Sequence, residues 1–342
     1  MAYTTINKST DYFNTKLYTG NGSTGHAITG VGFQPDLLWL KPRSTTGYHR
    51  LFDAVRGAGY QLYSNETNGS GLDTNQMSAF NSDGFTLGNE TGSNANGTTF
   101  ASWNWKANGQ GSSNTDGSIN TTYTSVNTTA GFSIIQYTGN GVAGATIGHG
   151  LGAVPKMLIV KQTNSSNNWK VYHVSMGNNN IMNLNDTSAQ TGNTAFWNDT
   201  TPTSTLISLG TNGAINGSGN TYIMYAFTSI TGYSKFGSFS GNNNNDGSFI
   251  YTGFAPSFVM VKRSSDIQGW VMWDNKRPGY NLTNQSLTAN ENSAEETGRT
   301  FDILSNGFKI RDTNTATNAA STYIYMAFGQ TLVGSNNIPC TA

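Results

Sequence analysis

Three short apolar runs punctuate the chain in the same way: Leu37-Leu38-Trp39-Leu40, Met157-Leu158-Ile159-Val160 and Phe258-Val259-Met260-Val261. Each is followed by a lysine (Lys41, Lys161, Lys262) and preceded by Gly-x-x-Pro, ending at Pro35, Pro155 and Pro256. Proline cannot donate to a ladder, so it is expected just before each strand. A run of four apolar residues rich in β-branched and aromatic types reads as a strand buried on both faces. Downstream stand Phe85-Thr86-Leu87, Ile207-Ser208-Leu209 and Phe308-Lys309-Ile310, whose period of two predicts a half-exposed strand. A last strand is expected over 100–105, 222–227 and 323–328. Upstream, Tyr18-Thr19-Gly20-Asn21-Gly22, Tyr137-Thr138-Gly139-Asn140-Gly141 and Phe239-Ser240-Gly241-Asn242-Asn243 read as strands running into turns. No segment of ten or more residues sustains a helical period.

Four landmarks repeated in order predict an all-β protein of three tandem, diverged β-sandwich units, jelly-roll-like in plan. The expected divisions are an N-terminal arm at 1–10, a first unit at 11–107, a linker at 108–129, a second unit at 130–227, a short connector at 228–235, a third unit at 236–330 and a tail at 331–342. The stretch 108–117 is free of apolar residues, so the first unit is expected to be separable and the three cores largely independent.

Composition sharpens this. About 35% of the 342 residues are hydrophobic, enough for packed cores, but only 11% are charged. Asn, Ser, Thr and Gly must therefore carry the polar surface. Eighteen basic residues balance eighteen acidic ones, which removes the electrostatic footprint of nucleic-acid binding. No apolar run is long enough to insert in a membrane. The lone Cys340 permits neither an intrachain disulfide nor a zinc cluster, and the first residues lack the pattern of a secretory signal. An uncharged surface without an export signal fits a virion component assembled in the host cytoplasm and released by lysis, and equally a protein exported by a signal-independent route.

Candidate chemistry is sparse. The four histidines form no metal-ligand or nucleophile pattern, and His26 and His149 read as solvated turn residues. Glu295 and Glu296 are adjacent, whereas two sugar-cleaving carboxylates must face one another across a bond. The segment 242–247 resembles a calcium loop in part, but Gly253 stands where the bidentate glutamate belongs, so a turn is the better reading. No catalytic residue, metal or cofactor is expected. Eight residues after the repeated lysine stand His49, Trp169 and Trp270; eleven after it, Phe52, Tyr172 and Trp273; twelve after it, Asp53, His173 and Asp274. Planar rings beside hydrogen-bonding groups can bind a sugar or fill a core. The eleven-after column reads as core. For Trp169, Trp270 and His49 both readings stand, and these three are the candidate glycan-binding residues. The lysines are candidates for pairing with Asp53 and Asp274.

The Tyr-Thr-Gly-Asn-Gly turns, the Gly-x-x-Pro strand ending in lysine, Ser305-Asn306-Gly307-Phe308-Lys309-Ile310-Arg311 and the closing Thr-Tyr-Ile-Tyr-Met-Ala-Phe over 322–328 resemble uncharacterised β-rich repeat domains of virion structural and tail-fibre-like proteins of marine bacteriophages. That resemblance covers about 11–330 and implies a place on a virion. The expected function is a virion surface structural protein, an appendage or fibre-like adhesin contacting host glycans, with other virion proteins as partners and a homo-oligomeric state. The alternatives are a capsid decoration or head-fibre protein without a dedicated ligand and, third, a glycan hydrolase on a β-sandwich.

Overall fold

The computed structural model describes residues 3–279 and 281–334. Strand makes up 43% of the structure and helix 5%, so the chain is all-β. The first nine strands are β1 (Phe13–Thr19), β2 (His26–Thr29), β3 (Leu37–Pro42), β4 (Arg50–Asp53), β5 (Tyr60–Tyr63), β6 (Gly71–Leu72), β7 (Met77–Asn81), β8 (Gly84–Leu87) and β9 (Thr99–Trp105). The next nine are β10 (Tyr123–Asn127), β11 (Phe132–Thr138), β12 (Ala145–Gly148), β13 (Met157–Gln162), β14 (Lys170–His173), β15 (Asn180–Asn183), β16 (Thr191–Gly192), β17 (Leu206–Leu209) and β18 (Thr221–Phe227). The last eight are β19 (Ser234–Ser240), β20 (Phe249–Tyr251), β21 (Ala255–Arg263), β22 (Trp270–Asp274), β23 (Thr283–Thr288), β24 (Glu296–Leu304), β25 (Gly307–Ile310) and β26 (Thr322–Gln330).

Three long antiparallel sheets share one pairing order: β1-β9-β3-β4-β5, β11-β18-β13-β14-β15 and β19-β26-β21-β22-β23. Their registers agree. Leu37 lies opposite Trp105 and Asp53, Met157 opposite Phe227 and His173, and Phe258 opposite Phe328 and Asp274. The half-exposed triplets sit in β8, β17 and β25. The first two belong to separate small sheets, β2-β8-β7 and β12-β17, whereas β24 joins β25 and β20 to the third long sheet.

The Gly-x-x-Pro signature has a backbone cause. Gly32, Gly152 and Gly253 have φ of +93°, +68° and +89°, where a Cβ would be strained. Pro35 and Pro155 precede β3 and β13 as expected. Pro256 does not: it lies inside β21, at a register shift before Phe258, and a bulge is the place within a sheet that tolerates proline.

The long sheets are buried on both faces because they serve two cores. Leu38, Leu40, Phe52 and Phe85 pack in a cluster local to the first sheet; Leu158, Val160 and Tyr172 do so in the second, and Val259, Val261 and Trp273 in the third. The alternate residues point the other way. Leu37, Trp39, Trp105, Met157, Ile159, Phe227, Phe258, Met260 and Phe328 all belong to one further cluster shared by the three sheets. At its centre the rings of the register-equivalent Trp105, Phe227 and Phe328 meet pairwise, at centroid distances of 6.4, 5.9 and 5.7 Å.

Three expectations are corrected. The cores are not independent, since the largest is common to all three sheets, the first included. The stretch read as a linker carries β10, which pairs with β11, and its Gly109 N–H, with that of the preceding Ala107, donates to the Asp36 carboxylate. The N-terminal arm is built into the core through Ile6, and Ser9 N–H donates to the Gln330 side chain next to the C-terminal end of β26. Residues 1–2, Cys340 and the tail beyond 334 lie outside the described residues.

Candidate functional site

The repeated columns meet at the three junctions between long sheets. β4, β14 and β22 alternate side chains between faces, so residues eight, ten and twelve after the lysine face the shared core and those nine and eleven after it face the local one. This explains why Phe52, Tyr172 and Trp273 are local-core rings, as expected.

The candidate glycan platforms are corrected. His49 and Trp169 are 0% exposed and Trp270 is 1% exposed, so none can stack on a sugar. Each instead reaches the preceding sheet. Trp169 Nε1–H donates to the Tyr63 carbonyl (2.8 Å), and Trp270 Nε1–H to the Asn183 carbonyl (2.8 Å). Trp39 Nε1–H donates to His49 Nδ1 (2.9 Å), leaving His49 Nε2–H to donate to the Thr288 carbonyl (3.1 Å). Burial first, then the neighbouring Lys41 charge, pushes the His49 pKa well below its ordinary value, so this ring stays neutral.

The twelve-after column seals the junctions from the other side. The Asp53 Oδ2 accepts from Arg56 Nε (2.6 Å) and from the Tyr225 hydroxyl of the next sheet (2.8 Å). The Asp274 Oδ2 accepts from Arg277 Nε (2.7 Å) and from Trp103 Nε1 of the first sheet (3.0 Å). Trp103, Tyr225 and Met326 occupy equivalent positions two residues before the central rings. Met326 has no donor, and in the second sheet the places of acid and arginine are taken by His173 and by Met176, which shares the common cluster with Met326. His173 Nδ1 accepts from Ser175 N–H (3.2 Å), and its Nε2–H donates to the Tyr325 carbonyl (3.1 Å). Burial holds its pKa at about 4.

The lysines do not pair with Asp53 or Asp274. Asp53 lies opposite Leu37, four residues and about 13 Å along the strand from Lys41. Lys161 Nζ donates to the carbonyls of Gln162 and Thr67, Lys262 Nζ to those of Arg263 and Thr187, and Lys41 Nζ to that of Pro42. Burial lowers Lys41 to about 7 and both Lys161 and Lys262 to about 8. Beside them runs a closed circuit of backbone bonds. Ser70 and Thr67 exchange with Thr163 and Asn167, Gln190 and Thr187 with Ser264 and Gln268, and Glu295 and Asn292 with Arg43 and Gly47.

Other candidates are also absorbed into structure. Glu295 accepts from Arg43 and Arg277, and Glu296 pairs with Arg299. In the 242–247 turn, the Asn242 and Asn244 side-chain oxygens accept from backbone N–H groups of the same turn, and the Asp246 carboxylate is held by Lys309 at 2.6 Å. No group of three or more His, Cys, Asp or Glu residues suited to a metal ion exists among the described residues. His149 is buried rather than solvated, with Nε2–H donating to the Thr203 carbonyl, and His26 is half-buried against Asn94.

Asn94, Asn216 and Asn318 carry a repeated role that the sequence reading passed over. Each is fully buried; its Nδ2 donates to the carbonyl of Gly88, Gly210 or Asp312, and its Oδ1 accepts from the N–H of Asn21, Asn140 or Asn242. Their spacing of seven or eight residues after the half-exposed triplets was the available signal. The exposed rings are elsewhere, chiefly Phe249 and Tyr251 on β20, with Tyr3 nearby donating to the Gly253 carbonyl.

No helix among the described residues is long and apolar enough to cross a membrane. A family model described as a domain of unknown function (DUF7483) matches residues 8–331, and the chain belongs to that family. The match runs through all three long sheets. No curated protein matches the chain, and no solved structure does.

Proposed function

We propose that the chain is three tandem, diverged, jelly-roll-like β-sandwich units closed into a single-chain ring of threefold pseudo-symmetry, and that it serves as a non-enzymatic structural protein of a phage virion. The observation that carries the ring is the meeting of Trp105, Phe227 and Phe328, residues at one register position in each long sheet, about a common centre. The closed circuit of inter-sheet backbone bonds supports it. The phage location rests on the motif resemblance and on the neutral Asn/Ser/Thr/Gly surface.

Of the virion roles, capsid decoration fits this geometry better than a glycan-reading appendage. The rings named for sugar binding are buried in the junctions, where their indoles fix one sheet against the next. A block with three similar faces suits a partner that presents three subunits about an axis. The reading without catalysis is supported by Glu295 and Glu296, whose carboxylates are engaged by arginines. The adhesin reading keeps a foothold in the exposed rings, among them Tyr3, Phe249 and Tyr251 at one place and Tyr48 and Tyr60 at the first sheet. Gold-labelled antibody on purified virions tests the assignment. Labelling over the head is the expected result, labelling at tail tips transfers the case to the adhesin, and absence from intact virions overturns both.

A further inference from the structure

The equivalent edges of the three long sheets differ: β1 and β19 each end their sheet, whereas β11 is covered by β10. On β1, Lys106 N–H donates to the Tyr12 carbonyl and Gly20 N–H to the Thr98 carbonyl, so even-numbered residues turn their backbone groups toward β9. The odd-numbered Phe13, Thr15 and Leu17 therefore turn theirs outward, and among the described residues β1 ends its sheet with no strand on that side. In the second sheet the equivalent edge of β11 is covered. β10 pairs antiparallel along it, Tyr123 opposite Gln136 through Asn127 opposite Phe132. By register, Phe132 and Gln136 correspond to Phe13 and Leu17. Tyr123 there walls a hollow together with Gln136 and the neighbouring Val55 and Arg56. Counted from Asp53 and Asp274, Val55 corresponds to Lys276.

At the junction of the third and first sheets, the matching space is a groove of about 310 Å³, walled by Phe13 and Thr15 on one side and by Pro256, Asn275 and Lys276 on the other. A second hollow continues it past Lys16 and Leu17. Two buried polar atoms of its walls, Thr15 Oγ1 and Asn275 Oδ1, have no hydrogen-bond partner. Lys16 and Lys276 line the two hollows, and no carboxylate does.

We infer that this groove is a docking site for an extended, acidic polypeptide strand of another protein, which adds antiparallel to β1 as β10 adds to β11. Open edges bind strands through main-chain hydrogen bonds, with pockets choosing alternate side chains. The pattern follows from β10. About five residues fit opposite Phe13 to Leu17, with a ring or aliphatic side chain opposite Leu17, as Tyr123 stands opposite Gln136. A small polar residue belongs opposite Thr15, as the fully buried Ser125 stands opposite Ile134. An acidic residue between these two lies opposite Lys16. The inference is independent of where the protein resides.

The test uses the full chain and a fluorescent peptide of this chain's own residues 121–128 carrying Thr124→Asp, read by anisotropy at low salt. Saturable binding is expected, weakened at least tenfold by Thr15→Pro. That proline removes an outward N–H and no bond to β9, so the melting temperature should hold. Because a β1 variant can fail to fold, Ser257→Trp, which fills the groove from β21, is the second arm, with the same loss expected. A peptide with prolines at alternate positions should not bind. Absence of binding to the native chain, or binding unchanged by both Thr15→Pro and Ser257→Trp, overturns the inference.

Discussion

The junction between the third and first sheets and the junction between the second and third occupy equivalent places but are closed by opposite chemistry. In the first case Asp274 and Arg277 are both fully buried, and Trp103 completes the acid's hydrogen bonds. In the second, neutral His173 and Met176 take those places, and Met176 shares the common cluster with Met326. The difference is paired across the interface. A buried carboxylate stands where the neighbouring sheet supplies a donor, as Trp103 and Tyr225 do, and is absent where the neighbour supplies a thioether. A carboxylate at 173 would meet no donor from Met326, and desolvating an unpaired charge costs several kcal/mol. The three long sheets are therefore not interchangeable, and their order along the chain is matched to the order of the faces they present.

The largest expected effect is at the charged junction. Asp274→Ala takes from the buried Arg277 guanidinium its closer carboxylate, leaving only Glu295 at 3.2 Å, and should cost about 3 kcal/mol in denaturant unfolding. Because the shared core couples the sheets, the loss should appear as one cooperative transition rather than the melting of one third of the chain. Two separate transitions would show that the junctions are weaker than the units they join.

The neutral junction should respond to acid instead. His173 titrates at about 4 in the folded chain and near 6.5 when unfolded. Between those values only the unfolded chain takes up the proton. Its contribution is thus complete above pH 6.5 and is lost as pH falls toward 4, an effect of roughly 3 kcal/mol. His173→Gln keeps a donor for the Tyr325 carbonyl and should flatten the pH dependence relative to the native chain. Curves that stay parallel over this window would remove the histidine from the account.

Converting one junction type into the other gives a smaller effect. Asp274→His with Arg277→Met removes both charges together, leaves Glu295 to Arg43, and takes a partner from Trp103 Nε1–H and from the Met272 carbonyl, each at about 1–3 kcal/mol. The double variant should therefore be more stable than Asp274→Ala alone, and the reverse ranking would break the pairing argument. Smallest is Ser70→Ala at the junction of the first and second sheets. It deletes one acceptor of Arg56 Nη1, and about 1 kcal/mol is expected from melting curves.

Much of this was legible residue by residue. The all-β class followed from short apolar runs and period-two triplets, and every such triplet lies in a strand. The doubly buried character of 37–40, 157–160 and 258–261 was also legible, but its consequence was missed. A sheet in a two-layer sandwich buries one face, so three sheets buried on both require a further common layer. Trp169, Trp270 and His49 were correctly aligned, yet a column of rings has the same pattern whether it faces solvent or a neighbour. Arg56 and Arg277 escaped notice because their place in the column holds Met176 in the middle copy, the departure that tertiary pairing later explains.

By itself, the sequence determined what depends on local chemistry. Glycine at positive φ set the turns ahead of the repeated strands, side-chain alternation set their faces, and the register of the columns put His49, Trp169 and Trp270 in equivalent places. Tertiary structure alone decided which surface each face met. Whether a tryptophan is a sugar platform or a junction pin depends on a carbonyl about a hundred residues away, and whether the edge of β1 or β11 is open depends on where the 108–129 segment runs. These are contacts between parts distant in sequence, and the burial and hydrogen bonding that fix them arise only when all three sheets close around Trp105, Phe227 and Phe328.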